Sequence, residues 1–154
     1  MPWEVGGVLG SLRAVLLALL AGLVLVAPVH AREQHFTAEP SGQISFVMPS
    51  GNVGCLYTPR GGTDTYAPAD GGPELSCDRI APSYVNMTLG PRGPAVLTQN
   101  PGEQSCCGAD NVFAYGNTAR FDGFVCTSST AGLTCETTDK RHGFCVAKSR
   151  LLHY

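Results

Sequence analysis

The stretch "FVCTSSTAGLTCET" (residues 124–137) places two β-prone runs on either side of a tip rich in Ser, Thr and Gly. Small polar residues and glycine at such a tip favour a tight turn between antiparallel strands. Each arm carries one cysteine, Cys126 on the first and Cys135 on the second. We therefore predict a β-hairpin with a disulfide across it.

The chain before this hairpin carries the same pattern. The segment "GQISFVM" (42–48) alternates its side chains with a period of two, the turn cluster "PSGN" (49–52) follows, and "VGCLY" (53–57) resumes the alternation. A period of two indicates a half-buried strand, and Pro, Gly and Asn are the residues that turns require. Residues 43–57 are therefore predicted to form a second hairpin.

Further short β-prone runs lie between turn signals, and no window has apolar residues at helical spacing over three turns. The predicted fold is all-β: a small, disulfide-stapled antiparallel barrel or sandwich of about eight strands. The remaining runs are "LSCDRI" (75–80), "YVNMTL" (84–89), "AVLT" (95–98), "NVFAY" (111–115) and "HGFCVAKS" (142–149).

An N-terminal signal-peptide helix is predicted to precede this domain. One cation, Arg13, is followed by an apolar run over residues 14–29, and small residues then lead to a cleavage point after Ala31. The run of 16 residues is shorter than the roughly 20 that cross a bilayer. The alternative is a membrane anchor formed by the same helix without cleavage. The prediction is a secreted protein with no stable membrane insertion once residues 1–31 are removed.

The remaining chain divides into three parts. Residues 32–42 are polar with one aromatic and are predicted to be a flexible leader. A single β domain spans 43–150, and 151–154 is a C-terminal tail. All seven cysteines lie in this exported part, where an oxidising compartment makes disulfides the default interpretation.

The cysteine count is odd, so one sulfur is left over. Cys55 and Cys77 flank a long Gly/Pro-rich loop, and a bridge between them would join its ends. This leaves Cys106, Cys107 and Cys145. Adjacent strand residues face opposite ways, so only one of the vicinal pair can point at a given partner. We predict that Cys145 pairs with one of them and that the other stays unpaired. The unpaired cysteine could link two copies of the chain as a disulfide-bonded dimer.

Several function classes have little support in the sequence. The net charge is −2 and no basic run occurs, which argues against nucleic acid or an anionic membrane as partner. Gly-x-Ser-x-Gly, phosphate-cradling and His-Glu-x-x-His motifs are absent from the sequence. We predict no catalytic residue, no cofactor and no metal site.

His142 is the one histidine in the body of the predicted domain. Together with Cys106, Cys107 and Cys145 it supplies four ligand-type side chains, enough in number for zinc, but the spacing matches no common zinc motif. A secreted enzyme using His142 with a nearby thiol or carboxylate is the alternative function. A structural role for His142 at a strand start is the stronger interpretation.

Three stretches carry a family resemblance: "FVMPSGNVGCLY" (46–57) with "LSCD" (75–78), "CGADNVFAYG" (107–116) and "GLTCETTDKRHGFCVAKSR" (132–150). Together they resemble a domain family of unknown function among the small secreted proteins and lipoproteins common in actinobacteria. The resemblance implies the same two bridges, in the first cysteine pair and in the last hairpin. Its usual third bridge has no counterpart here, since no cysteine lies between Cys77 and Cys106.

That family implies no activity. The function expected from the sequence is thus an exported, non-catalytic binding or interaction module at or outside the cell envelope, with an unidentified extracellular or envelope ligand.

Overall fold

The computed structural model describes residues 1–3, 31–102 and 107–154, and this part of the chain is all-β. The predicted signal-peptide helix lies almost entirely outside the described residues. The strands are β1 (Arg32–Glu33), β2 (Ile44–Val47), β3 (Val53–Thr58), β4 (Glu74–Arg79), β5 (Val85–Leu89), β6 (Val96–Gln99), β7 (Asn117–Phe121), β8 (Phe124–Ser129), β9 (Gly132–Thr137), β10 (Gly143–Ala147) and β11 (Arg150–His153).

The strands form two sheets that enclose one core. Of the two predicted architectures, barrel and sandwich, this is the sandwich. One sheet has the order β2-β3-β4-β5-β6 and the other β1-β7-β8-β9-β10-β11. Neighbours pair antiparallel, apart from β1, which pairs parallel with β7. Both predicted hairpins are confirmed as β2–β3 and β8–β9.

Alternation along the strands builds the core. In β4 and β5, every second residue is buried and the residues between them are half-exposed. A period of two sends successive side chains to opposite faces, so one face of each sheet is apolar and the other polar. Aromatic rings from both sheets meet inside the sandwich, with Phe46 and Phe121 stacked at 5.6 Å and Phe113 edge-on to Phe46 at 5.6 Å.

The two predicted disulfides are confirmed, and each lies within one sheet. Cys55 is directly opposite Cys77 on β3–β4, and Cys126 is directly opposite Cys135 on β8–β9. The Cα–Cα distance is 4.1 Å in both bridges. All four sulfur-bearing residues are buried, so both bridges belong to the core.

The predicted bridge from Cys145 to the vicinal pair is wrong. Cys145 is a free, half-buried thiol, whereas Cys107 is disulfide-bonded; Cys106 lies outside the described residues. The reason is the face on which each residue lies. Phe144 and Val146 point into the core, so Cys145 faces outward from the six-stranded sheet. Cys107 lies beside outward-facing residues of the other sheet.

Residues 32–37 of the predicted flexible leader (32–42) are packed onto the domain. β1 pairs with β7, and the Gln34 side chain donates to Val112 O at 2.7 Å and accepts from Ala114 N–H at 3.1 Å. Phe36 then stacks on Phe46, with ring centroids 5.1 Å apart. One glutamine and one aromatic thus attach a segment whose polar composition suggested no structure.

The predicted C-terminal tail is strand β11 and its continuation. Tyr154 exchanges backbone hydrogen bonds with Gly143 at 2.9 and 3.0 Å. Its hydroxyl reaches across this glycine and donates to Glu136 Oε1 at 2.7 Å. The hydrogen bond to the carboxylate raises the pKa of Tyr154 to about 12. The predicted tail is therefore part of the six-stranded sheet, with Leu151 packed against the core and the Tyr154 hydroxyl bonded to Glu136.

Candidate functional site

A groove lies on the outer face of the five-stranded sheet, over β2, β3 and β4. Its volume of 460 Å³ falls within the roughly 300–1,000 Å³ typical of small-molecule sites. Strand residues form its floor and the segment 107–109 forms one side. The described lining residues are Ser45, Phe46, Gly54, Cys55, Leu56, Ser76, Asp78, Cys107, Gly108 and Ala109.

One cross-strand row supplies the centre of the floor. Ser45 is opposite Leu56, Leu56 is opposite Ser76, and Ser76 is opposite Thr88 on the neighbouring β5. Residues opposite one another in a sheet share a face, and all four are half-exposed. The row therefore presents hydroxyl groups on either side of one apolar side chain.

The next row forms the depression. Val47 is opposite Gly54, Gly54 is opposite Asp78, and Asp78 is opposite Asn86. Since Gly54 has no side chain, the floor is lower between its two neighbours. Asp78 carries the one formal charge among the described lining residues.

Hydrogen bonds fix the side chains at the β4–β5 end of the floor. The Asn86 amide donates to Ser76 Oγ at 2.9 Å and to Asp78 Oδ1 at 2.8 Å, and its own oxygen accepts from Thr88 Oγ1 at 2.8 Å. A connected network of this kind holds its members in one arrangement. The floor is preorganised rather than a set of independently mobile polar groups.

The side of the groove is attached to the edge of β2. Val47 N–H donates to Asn111 O and Phe113 N–H donates to Val47 O, each at 2.9 Å. The Asn111 amide also donates to Ser45 O at 2.8 Å. These bonds hold the chain that follows residues 107–109 against the sheet. Within this side, Cys107 has a φ of 95°, which is unusual for a residue with a side chain.

Gly108 is the most open point of that side. A Cβ at this position would meet no atom within 4 Å, and its φ lies outside the left-handed region. A larger residue could therefore be placed there, at the side of the groove, without backbone strain.

His142 lies in the connection between β9 and β10. Its backbone N–H donates to Thr137 Oγ1 at 3.2 Å, and its carbonyl accepts from Thr137 N–H at 2.9 Å. Asp139 accepts from Thr137 Oγ1 at 2.6 Å and from Arg141 N–H at 3.1 Å, and these bonds lower the pKa of its carboxyl. The polar groups of this turn stabilise the connection itself.

Among the described residues, no hydrogen bond or ion pair joins the imidazole of His142 to a thiol or a carboxylate. In the described part of the chain, the imidazole makes no hydrogen bond or ion pair, and nothing joins it to Cys145. Residues 1–3, 31–102 and 107–154 contain no group of three or more metal-type ligands. They also contain no helix long and apolar enough to cross a membrane.

A second, smaller cleft lies at one end of the sandwich, where the β2–β3, β8–β9 and β10–β11 turns meet. Its volume is 150 Å³, and its lining includes Met48, Tyr115 and Lys148. This is below the usual range for a small-molecule site. The groove over β2–β4 is the better candidate.

No protein-family model, curated protein or solved structure matches this chain. The case for a function therefore comes from the geometry of the groove.

None of the groove-floor residues was singled out as a functional residue from the sequence. Alternation in "LSCDR" and "VNMTL" does identify Ser76, Asp78, Asn86 and Thr88 as the outward-facing set. The sequence of a single strand does not specify the cross-strand register that joins these four residues into one network. The sequence identifies Cys107 as a candidate disulfide cysteine, but its position beside the groove follows only from the fold.

Proposed function

We propose that this protein is an exported, non-catalytic binding module that holds a small ligand in the groove over β2–β4. The observation that carries the proposal is a groove of ligand size whose polar floor is already organised by the Asn86 network. A preorganised floor favours binding because few side chains lose freedom when the ligand enters.

Export is part of the same proposal. Two disulfides in the core are consistent with an oxidising compartment. Strand β1 begins at Arg32, directly after the predicted cleavage point at Ala31, so cleavage there would leave every strand of the described residues intact. The mass of protein recovered from the culture medium tests this point: it should correspond to a chain beginning at Arg32.

Ligand binding is tested by filling the groove. Gly108→Leu adds a large side chain at a lining position with room for it, whereas the control Gly90→Leu lies in a loop outside the described lining, where a Cβ meets its nearest atom at 3.6 Å. Both variants should fold. The probes are glucose, N-acetylglucosamine, spermidine, inorganic phosphate and trialanine, each titrated into isotope-labelled protein and followed by amide chemical shifts.

At least one probe should shift the amides of Gly54 and Ser76. Gly108→Leu should remove these shifts, and Gly90→Leu should leave them unchanged. Shifts confined to other surfaces, or a groove response that Gly108→Leu leaves intact, would contradict the proposal.

A further inference from the structure

The hydrogen-bond direction at Ser76 is set by its neighbour. The Asn86 amide can only donate through its nitrogen, and it does so to Ser76 Oγ at 2.9 Å. The Ser76 oxygen is thus an acceptor in this network, and its own hydrogen is left to be donated. Ser76 therefore presents a donor at the β4 side of the groove floor.

Ser45 has the opposite direction. Its hydroxyl donates to Glu39 Oε1 at 3.0 Å, because a carboxylate offers only acceptor oxygens. The lone pairs of Ser45 are left to accept hydrogen bonds at the β2 side of the floor. Ser45 and Ser76 are two strands apart in one cross-strand row, a separation of about 10 Å at the usual strand spacing.

Leu56 lies between these two hydroxyls and is half-exposed. Across β2, β3 and β4, the floor therefore presents a hydrogen-bond acceptor at Ser45, an apolar surface at Leu56 and a hydrogen-bond donor at Ser76. A ligand that fits this order needs donors and acceptors at its edges and a C–H surface in between.

The charges and rings at the groove disfavour anionic ligands and planar aromatic ligands. No Lys or Arg is among the described lining residues, so an anion would meet only the carboxylate of Asp78. That carboxylate accepts from the Asn86 amide, and Glu39 accepts from Ser45. Phe46, the one aromatic residue among the described lining residues, is 1% exposed and gives no stacking surface for a planar base.

We infer that the ligand of this groove is an uncharged, polyhydroxylated compound, a sugar. This inference rests on the proposed function and names its ligand class. Each sugar hydroxyl can both donate and accept, which suits the opposite directions of Ser45 and Ser76. The ring C–H groups match the apolar surface of Leu56.

The test compares probe classes and then removes the donor. Among the five probes, glucose or N-acetylglucosamine should shift the Gly54 and Ser76 amides, and spermidine and phosphate should not. Ser76→Ala should weaken sugar binding roughly 2- to 10-fold, the value of one hydrogen bond. The control Thr127→Ala, on the outer face of the other sheet, should leave the affinity unchanged.

The outcomes separate this inference from the proposed function. Groove shifts produced only by spermidine, phosphate or trialanine would overturn the sugar assignment and leave a binding module in place. A sugar response that Ser76→Ala does not weaken would overturn the assigned role of Ser76 as donor. Groove amides that no probe shifts would overturn the sugar assignment and count against the groove as a binding site.

Discussion

Removal of each core disulfide tests how the sandwich is stabilised. The bridges match in burial, in Cα–Cα distance and in their position between directly opposed strand residues. They differ in the length of chain they close, with sequence separations of 22 for Cys55–Cys77 and 9 for Cys126–Cys135. Because each double replacement removes the same two sulfur atoms from buried positions, the difference in stability reports the loop-closure term.

The chain-entropy relation gives the expected size of each loss. At 25 °C it assigns about 3.4 kcal/mol to the longer loop and about 2.6 kcal/mol to the shorter one. The double replacement of Cys55 and Cys77 by Ala should therefore cost about 0.8 kcal/mol more than that of Cys126 and Cys135. Either loss is a large part of a typical stability of about 5–15 kcal/mol.

The assay is urea unfolding followed by far-ultraviolet circular dichroism, analysed by linear extrapolation. Every variant should carry Cys145→Ser, since a free thiol could otherwise exchange with the remaining disulfides during unfolding. The parent with Cys145→Ser alone is the reference. A larger loss from the short hairpin bridge than from the long one would refute the loop-closure reasoning and point to local strand contacts instead.

Three further predictions concern the segments that the sequence described least well. Phe36→Ala should cost about 2 kcal/mol in the same unfolding assay, because the half-buried ring stacks in the core, whereas the exposed neighbour change His35→Ala should stay within about 0.5 kcal/mol. The raised pKa of Tyr154, about 12 against about 10 in an unfolded chain, stabilises the protein below pH 10, and this contribution is lost as the pH rises to 12. Tyr154→Phe should therefore flatten the fall in stability between pH 10 and 12 relative to the parent. Part of the fall should remain, because Tyr66 has a similarly raised pKa. An unchanged slope would contradict the assignment to Tyr154. His142→Ala should keep its stability within about 0.5 kcal/mol and retain groove binding, and a folded variant that no longer binds would favour a direct role for the imidazole.

The sequence predicted the local elements well where two signals agreed. Both hairpins combine a period of two with turn residues, and each cysteine pair brackets such a turn or loop, so pairing and hairpin support one another. "NVFAY" had β propensity without a partner signal, and in the structure only Val112 forms an isolated bridge. Strand β7, Asn117–Phe121, was not among the predicted runs because its polar residues hide its alternation.

The groove itself could not be predicted from the sequence, since its floor combines three strands. Ser45, Leu56 and Ser76 become neighbours only through the β2–β3 and β3–β4 registers. The assignment of Cys145 failed for a related reason: elimination among cysteines takes no account of the face on which each sulfur lies.

The all-β class, the turns and the two core bridges follow from local sequence patterns, because alternation, turn chemistry and cysteine spacing act over short stretches of chain. Three features depend on the tertiary structure: the docking of the leader through Gln34 and Phe36, the free state of Cys145 and the groove beside Cys107. Each of these depends on which sheet, and which face of it, a residue occupies. That choice is made by long-range strand pairing and core packing, which no local pattern encodes.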